Sequence, residues 1–386
     1  MTNMKIAVWH DPYSPIVNGS VGGEDNLVEL EIRLLEDRGH EVIHVMKSFE
    51  GMKRKTVHAL VTATGYGQSS LREVLNQDVD LIHTNNMSIA SGYAWMRKNK
   101  FPLVSSFHNY RPLCPISTAW RDGKLCFDCT DKSSLSAMKN GCGGKIGVLG
   151  SIRKSIFQPE PLEVTRPTRV IFTSNKMANA YLQRIPEVRF NVLHNPSRLV
   201  LSDTNEKEQR IQQASGFLFA GRLTQEKGVL QLLNHWPDNE LLTIAGKGEL
   251  ETEVKRVCEA RSNLTFMGTF SPNDTHFYRK FEALIFPSAW LEGSPLVVTE
   301  AISSGVPVIA TNTSSAEELI KMSGCGVIIQ QDFTSDTLQG AIDNIRKNKS
   351  IYRENGIAAA SSHFSPNLWI QKLENIFLET LIESKC

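Results

Sequence analysis

The stretch LEGSPLVVTE, residues 291–300, lies between two apolar runs, and together they indicate how this part of the chain folds. Before it, EALIFPSAW (282–290) is a short apolar run that leads into Pro and Ser, which is typical of a buried strand entering a loop. After it, AISSGVPVIAT (301–311) has a glycine where a helix would end, then a proline and a further apolar strand. Ser294 suits an N-cap and the proline after it the first helical position, so the pattern predicts a helix over residues 295–304.

Two glutamates lie eight positions apart in this stretch. Glu292 falls in the predicted loop, and Glu300 falls one to two turns inside the predicted helix. The loop follows the C-terminal end of a strand, which is where α/β proteins collect ligands. Both carboxylates are therefore candidate ligand-binding groups.

The composition is that of an ordinary soluble globular protein. The 386 residues are enough for two domains of usual size, and 41% are hydrophobic and 22% charged. A formal net charge of +1 gives no support to nucleic acid as the main partner. Residues 121–154 are richer in Lys and Arg than in acids. A solvated surface explains this most simply; the alternative is a peripheral contact with anionic lipid at the inner face of a membrane.

Several features favour a cytoplasmic location. The start, MTNMKIAVWHD, enters a strand at once and lacks the long apolar core of a signal peptide. No apolar stretch approaches the length needed to cross a bilayer. Seven cysteines, an odd number, argue for a reducing compartment rather than a disulfide framework.

Short apolar runs alternate with helical patterns along the chain, which predicts mostly parallel α/β sheets. The strand-like runs include KIAVWH, EVIHVM, DVDLIHTNN, PLVSSFHNY and TRVIFTSN, and after a polar linker GFLFAG, ELLTIAG, NLTFMGT and ALIFPS. We predict two doubly wound Rossmann-like domains that face a central cleft, a usual kind of ligand site. They span residues 1–196, with a cysteine-containing excursion at 110–165, and residues 197–365; an amphipathic helix at 366–386 crosses back to the first domain.

A basic loop follows the first strand of the second half. FAGRLTQEKG places Arg222 and Lys227 five residues apart between a strand and a helix. The two cations can close on one diphosphate, with help from backbone N–H groups at the helix start. The alternative is a solvated loop with two surface cations.

Three further positions are weaker candidates. NGSVGGEDN places Gly22 and Gly23 between the first strand and its helix, where they could let the backbone approach a phosphate or simply form a tight turn. AGKGEL, with Gly246, is another loop after a strand and has the same two interpretations. His108 follows the strand PLVSSF at its cleft-facing end, and the alternative is a purely structural histidine.

Four of the seven cysteines lie within 29 residues: Cys114, Cys126, Cys129 and Cys142. One Cys-x2-Cys pair, with a further cysteine about a dozen residues to either side, suits a structural tetrahedral zinc site. Metal binding would also order a long polar excursion that lacks helix or strand periodicity. Ordinary buried thiols and a redox pair at Cys126 and Cys129 are the alternatives.

Together these motifs resemble the retaining nucleotide-sugar glycosyltransferases of family four, which have the GT-B fold. The resemblance extends over nearly the whole chain. It is carried by FAGRLTQEKG, by PSAWLEGSPLVVTEAISSGVPVIAT about seventy residues on, and by the Gly-rich first turn with RGHEV after it, DLIHTNN, His108 and VLHNPSR.

The resemblance implies a role for each matching residue. Arg222 and Lys227 would bind the donor diphosphate, Glu292 would face the donor sugar, Glu300 would hold the ribose hydroxyls, and His108 would contact the donor sugar. The backbone of Gly293, Ser294, Pro295 and Leu296 would touch the sugar or phosphate, and Gly22 and Gly23 would let the first loop close on the phosphates. Ser294 stands where the family commonly has Phe, which leaves sugar specificity open.

The resemblance also implies the reaction. A sugar moves from a nucleoside diphosphate sugar (UDP-, GDP- or other) to a hydroxyl of a glycan, lipid-linked or small-molecule acceptor, with no cofactor required for catalysis. Envelope polysaccharide or glycoconjugate synthesis is the expected setting. The alternatives are a GT-B nucleotide-sugar epimerase and a non-catalytic nucleotide-sugar-binding protein.

Overall fold

The chain divides into two compact units in a computed structural model. Unit 1 comprises Met1–Leu193 and Ile370–Cys386, and unit 2 comprises His194–Trp369. The sequence-based boundaries are 196/197 and 365/366. The structure describes residues 3–10, 23–45, 78–86, 101–110, 112–133, 135–142, 168–184, 188–199, 214–269 and 275–384.

Unit 1 is built on a six-stranded parallel sheet of order β2-β1-β3-β4-β7-β8. Its strands are β1 (Lys5–His10), β2 (Glu41–His44), β3 (Leu81–Asn85), β4 (Leu103–Phe107), β7 (Arg169–Phe172) and β8 (Phe190–Val192). Among the described residues, the helices that adjoin this sheet include α1 (Gly23–Asp37) and α4 (Asn175–Leu182). β3 and β4 are buried along their whole length, as expected of central parallel strands covered on both faces.

The cysteine-containing excursion of unit 1 has its own short elements: the hairpin β5 (Trp120–Arg121) with β6 (Lys124–Leu125), then α2 (Asp128–Asp131) and α3 (Ser136–Lys139). An aromatic cluster fastens it to the sheet. Tyr110 stacks on Tyr181 of α4, with ring centroids 5.6 Å apart, and its edge meets Phe127. Arg184 adds two hydrogen bonds of 2.9 Å to Asp131.

Unit 2 has a second six-stranded parallel sheet, of order β11-β10-β9-β12-β13-β14. Its strands are β9 (Phe217–Ala220), β10 (Leu242–Ala245), β11 (Leu264–Gly268), β12 (Ala283–Phe286), β13 (Val308–Thr311) and β14 (Gly326–Ile329). Its helices are α5 (Val229–His235), α6 (Glu251–Ala260), α7 (Thr275–Arg279), α8 (Leu296–Ser303), α9 (Ala316–Ser323), α10 (Ser335–Lys347) and α11 (Lys349–Ser362).

Alternate residues of the unit 2 strands enter two separate cores, one on each face of the sheet. Leu218 and Leu284 pack on one side with α8, whereas Phe219 and Ile285 pack on the other with α5 and α10. Helices therefore cover both faces, and truncating one of these side chains, for example Leu284→Ala, would cost about 2–5 kcal/mol. This arrangement confirms the predicted doubly wound α/β fold.

The last helix, α12 (Pro366–Ser384), is fastened to unit 1 through charged groups. Glu374 accepts hydrogen bonds from Arg38 (2.6 Å) and lies 2.8 Å from His40 Nε2. Arg169 donates to Glu379 and Glu383 at 3.0 and 2.6 Å. The C-terminal segment thus folds as part of the first unit, although it follows the second in sequence.

Candidate functional site

The basic loop of unit 2 leaves the carboxyl end of β9. Arg222 follows the strand, and Lys227 ends a short 3₁₀ turn, Gln225–Lys227. Gly228 then has a φ of +73°, and a Cβ there would lie 2.2 Å from the carbonyl oxygen of Pro287. The glycine therefore lets this loop press against the loop after β12, which holds Glu292.

Lys227 and Glu292 form a buried ion pair. Their Nζ and Oε1 atoms are 2.8 Å apart, and the side chains are 12% and 8% exposed. Burial lowers the pKa of Lys227, and the charge of Glu292 opposes that lowering. The pairing joins the first glutamate of the Glu-x7-Glu stretch to the basic loop, two regions 65 positions apart in sequence.

Both cations of the basic loop lie near the ring of Trp290. Lys227 Nζ is 5.1 Å, and the Arg222 guanidinium carbon 5.9 Å, from the ring centroid. Arg222 is 42% exposed and has a weak 3.5 Å contact with Glu226. One cation is thus buried and fixed, while the other is accessible to a ligand.

Glu300 is completely buried inside α8, and both of its oxygens have partners. Arg198 donates to Oε1 at 2.6 Å, and Tyr278 donates its hydroxyl hydrogen to Oε2 at 2.7 Å. Burial raises the pKa of Glu300, although Arg198 and Tyr278 favour the carboxylate. Arg198 is 25% exposed, so in this arrangement the guanidinium is the more accessible member of the pair.

The start of α8 differs by one position from the prediction. The helix begins at Leu296 with Pro295 as the N-cap residue, and no side chain caps it. Ser294 does not act as the cap because its Oγ accepts the backbone N–H of Asn195 (3.0 Å) and its carbonyl accepts the Asn195 side chain (2.7 Å). These bonds fix the Gly293–Leu296 loop to the segment that follows β8.

Close packing explains why position 246 is a glycine. Its φ is +151°, and a Cβ there would lie 1.8 Å from the carbonyl oxygen of Gly221. Gly248 is likewise pressed against Leu223. The AGKGEL loop therefore supports the basic loop from behind, which favours the turn interpretation over a direct nucleotide contact.

His108 lies at the carboxyl end of β4 in unit 1, within a network of polar side chains. Its Nε2 is 2.8 Å from Asn85 Oδ1, and its backbone N–H donates to Asn86 Oδ1 at 2.8 Å. Asn85 in turn donates to Glu31, which also contacts His83. Burial lowers the pKa of His108.

A second cluster lies beside it, where β1 ends and α1 begins. His10 Nε2 is 3.2 Å from Asp25 and 3.6 Å from Glu24, and Asn86 donates to Glu24 at 2.6 Å. Burial alone would lower the pKa of His10, but hydrogen bonds and charges from Asp25 and Glu24 outweigh it and raise the pKa to about 9. Gly23 starts α1 directly before these acids, and Gly22 lies outside the described residues.

The zinc site predicted at the four clustered cysteines stays a prediction. Cys114 and Cys129 are buried, and Cys126 and Cys142 are partly buried. Burial raises the pKa of the Cys142 thiol, with added contributions from Cys114 and Cys126. Within the part of the chain that the structure describes, no group of three or more His, Cys, Asp and Glu side chains could hold a metal ion. The described contacts that hold the excursion are its hairpin, its aromatic stack and its ion pairs.

The basic segment that begins at residue 121 is partly neutralised. Arg121 and Lys132 both contact Asp128, at 3.3 and 3.0 Å, and residues 143–154 lie outside the described part. This favours the solvated-surface interpretation for the described residues. In those same residues no helix is long and apolar enough to span a membrane.

Several site residues have no role that the sequence predicted. Trp290, Arg198, Tyr278 and Asn195 contribute to the unit 2 site, and His10, Glu31 and Asn85 build the unit 1 network. Trp290, Arg198, Asn195 and Asn85 lie in segments that carry the family resemblance, and their place at or near the carboxyl ends of strands could have suggested them. Tyr278 and Glu31 lie inside helices, where no local pattern marks them.

Comparison with known proteins supports the resemblance drawn from the motifs. Residues 202–363 match the family model described as glycosyl transferases group 1. An uncharacterized glycosyltransferase of Methanocaldococcus jannaschii is 25% identical over 53% of this chain and 56% of its own. The lipopolysaccharide 1,2-N-acetylglucosaminetransferase of Salmonella typhimurium is 24% identical over 50% of this chain and 56% of its own. The chain thus spans about half the length of these curated relatives.

The fold is shared with solved proteins along the whole chain. The Anabaena protein HepE, solved in complex with UDP, superposes with a TM-score of 0.62 at 17% identity, covering 97% of this chain and 100% of that one. At this identity the likeness concerns the fold alone. The resemblance to family-four glycosyltransferases and the GT-B fold class are confirmed.

Proposed function

We propose that this protein is a retaining glycosyltransferase that moves a sugar from a nucleoside diphosphate sugar to an acceptor hydroxyl. The observation that carries the proposal is the basic loop after β9, where Arg222 and Lys227 both lie against Trp290. The loop lies within residues 202–363, which match the group 1 glycosyltransferase model.

The basic loop suits the departure of a nucleoside diphosphate. As the sugar–oxygen bond breaks, negative charge develops on the diphosphate, and fixed cations stabilise it. Lys227 is already held by Glu292 at 2.8 Å and needs little reorganisation. Arg222, which is half-exposed, closes on the incoming phosphates. These two charges can perform the task that a metal ion performs in other transferases, so we expect metal-independent catalysis.

Retention follows from attack by the acceptor on the face that the diphosphate leaves. Glu292, the carboxylate that would face the sugar, is 8% exposed and engaged by Lys227, which suits it poorly to act as a covalent nucleophile. The departing phosphate can take the proton of the acceptor hydroxyl. Glu292 would instead hold the Lys227 ammonium in place and accept hydrogen bonds from hydroxyls of the donor sugar.

UDP is the first nucleotide to test, because the similar Anabaena structure holds it. The relative from Salmonella is named as a lipopolysaccharide transferase, which makes envelope polysaccharide or glycoconjugate acceptors the first to test. Such acceptors would require a peripheral approach to the inner membrane face.

The test is a thermal-shift screen against UDP-, GDP-, ADP-, CMP- and dTDP-linked sugars, followed by acceptor-dependent nucleotide release with the sugar that stabilises most. We expect stabilisation by one nucleotide class and release only when an acceptor is present. Interconversion of the sugar without an acceptor would instead indicate an epimerase. Binding without turnover across acceptors would indicate a non-catalytic binding protein.

A further inference from the structure

Three side chains hold His108 in series at the carboxyl edge of the unit 1 sheet. Asn85 Nδ2 donates to Glu31 Oε2 at 3.3 Å, and Asn85 Oδ1 lies 2.8 Å from His108 Nε2. The other oxygen of Glu31 is 2.6 Å from Nδ1 of His83. Glu31, His83 and Asn85 are each 1% exposed, so the chain is shielded from solvent.

The chemistry of these groups decides which way each hydrogen points. A carboxylate only accepts hydrogen bonds, so Asn85 must turn its NH₂ toward Glu31 and its carbonyl oxygen toward His108. The amide oxygen also only accepts. The hydrogen in the contact with His108 must therefore be on Nε2.

This leaves Nδ1 as the remaining ring nitrogen of His108. Burial lowers the pKa of His108, Glu24 and Glu31 oppose that lowering, and His83 and His10 add to it. A neutral imidazole with its hydrogen on Nε2 has a lone pair on Nδ1. Among the described residues, that buried Nδ1 atom has no hydrogen-bond partner. Buried polar atoms are nearly always paired, so this acceptor points to a ligand donor.

We infer that Asn85 is a positioning residue that fixes the hydrogen of His108 on Nε2 and so keeps Nδ1 as a hydrogen-bond acceptor, which would take a hydrogen bond from a hydroxyl of the sugar that the family resemblance places at His108. The inference rests on the proposed function for the identity of the ligand. It makes His108 selective for sugars that carry a free hydroxyl at one position, because a deoxy or fluoro sugar has no hydrogen to donate there.

The first test is nitrogen NMR on protein labelled with ¹⁵N-histidine, with the His108 signals assigned by loss in His108→Gln. In the unchanged protein we expect a protonated Nε2 and a bare Nδ1. In Glu31→Gln the new amide can face Asn85 with either atom, so Asn85 can turn over and His108 should populate both tautomers. No hydrogen bond joins these two described residues directly, and loss of the Glu31 charge alone would change the pKa of His108 without turning Asn85 over.

The matched control is Thr84→Val. Thr84 precedes Asn85 in β3 and is equally buried, but its hydroxyl pairs with Ser105 at 2.7 Å outside the chain of three. It should leave the His108 signals unchanged. Asn85→Leu is the second variant and should also mix the tautomers; circular dichroism checks folding, and Glu31→Gln carries the test if Asn85→Leu does not fold.

Kinetics supply the second readout. With the donor found in the screen, Glu31→Gln and Asn85→Leu should each lower kcat/KM roughly 3- to 10-fold, the loss expected when one hydrogen bond is removed. In Thr84→Val, kcat/KM should stay within about 2-fold of the unchanged protein. A donor fluorinated at the position facing His108 should show the same loss, with little further loss in Asn85→Leu.

The outcomes separate the inference from the proposed function. A protonated Nδ1 in the unchanged protein overturns the inference, whatever the activity. Unchanged His108 signals and rates in both network variants also overturn it. Failure of every sugar nucleotide to bind contradicts the proposed function and the sugar contact, whereas the NMR assignment of the tautomer is decided independently.

Discussion

The carboxyl edges of the two sheets use different groups, although both sheets have the same parallel architecture. In unit 2 the accessible groups are cations: Arg222 and Arg198 are partly exposed, while their partner acids Glu226 and Glu300 are more buried. In unit 1 the acids Glu24 and Glu31 are surrounded by imidazoles and amides.

The difference indicates what each edge can bind. A cationic edge stabilises an anionic diphosphate, whereas in unit 1 the charge of His10 is balanced by Asp25 and Glu24, and the neutral amides beside them suit neutral hydroxyls. This contrast agrees with the proposed function, in which unit 2 would bind the nucleotide and unit 1 would contact sugar or acceptor hydroxyls. Four experiments test this contrast between the two edges.

The largest effect is expected at Lys227. Lys227→Ala removes a fixed cation and leaves Glu292 buried without its partner, so kcat/KM should fall about 1000-fold, or about 4 kcal/mol. Arg222→Ala should cost about 100-fold, because Arg222 is more exposed. Lys255→Ala is the control, since its ion pair with Glu251 lies on an exposed helix face. Wild-type turnover in both site variants would contradict a cationic diphosphate site.

The next effect concerns the stability of unit 1. The pKa of His10 in the folded chain is about 9, above its usual 6.5, so its contribution is complete below about pH 6.5 and is lost as pH rises through 9. The loss should amount to about 3 kcal/mol, from 1.36 kcal/mol per pKa unit. Urea unfolding at pH 6 and pH 10 measures it, and His10→Gln should lack this part of the pH dependence. Equal pH dependence in both proteins would show that His10 is not a buried cation.

A smaller effect should distinguish the two glutamates. Glu300→Ala should weaken binding of the bare nucleoside diphosphate about 10-fold, since it frees Arg198 and Tyr278 and removes a group expected near the ribose. Glu292→Ala should leave that affinity nearly intact and lower turnover instead. Calorimetry with the nucleotide and with its 2′-deoxy form measures both.

The deoxy nucleotide sharpens this prediction. If Glu300 accepts a hydrogen bond from the ribose, the wild type should bind the 2′-deoxy form more weakly than the nucleotide itself, whereas Glu300→Ala should bind the two equally. If Arg198 keeps Glu300 covered, as in the structure, the wild type should bind both nucleotides equally. Equal losses of nucleotide affinity in the two glutamate variants would contradict the division of roles.

Much of the fold was predictable from the sequence, because parallel strands buried on both faces are short apolar runs and the Gly-Pro punctuation ends α8 close to its predicted end. The first residue of α8 was not predictable, because Ser294 does not cap the helix. Its hydroxyl oxygen accepts a hydrogen bond from the backbone N–H of Asn195, which lies 99 positions away in sequence. The cations of the site stand in a local motif. The partners that set the charge and exposure of site residues come from other segments. Arg198, for example, donates to Glu300 although the two are 102 positions apart in sequence.

The zinc prediction also depends on contacts between distant residues. Cysteine spacing is a local pattern, whereas a metal site needs thiols that converge, and the contacts that fold the excursion are not encoded in that spacing. Tyr110 stacks on Tyr181, and Arg184 binds Asp131, each from a helix or loop far along the chain.

The smallest effect is expected from removing metal ions. If the unit 2 cations alone stabilise the departing diphosphate, donor turnover should be unchanged after incubation with EDTA, because Lys227 and Arg222 already supply two positive charges at the basic loop. Initial rates with and without chelator, over a range of donor concentrations, measure this. Arg222→Ala provides a second test of metal independence. If the site works without metal, physiological concentrations of Mg²⁺ or Mn²⁺ should restore little of the turnover that this variant loses. Prompt loss of wild-type activity in EDTA, restored by either ion, would show that the cationic edge needs a metal to bind its diphosphate.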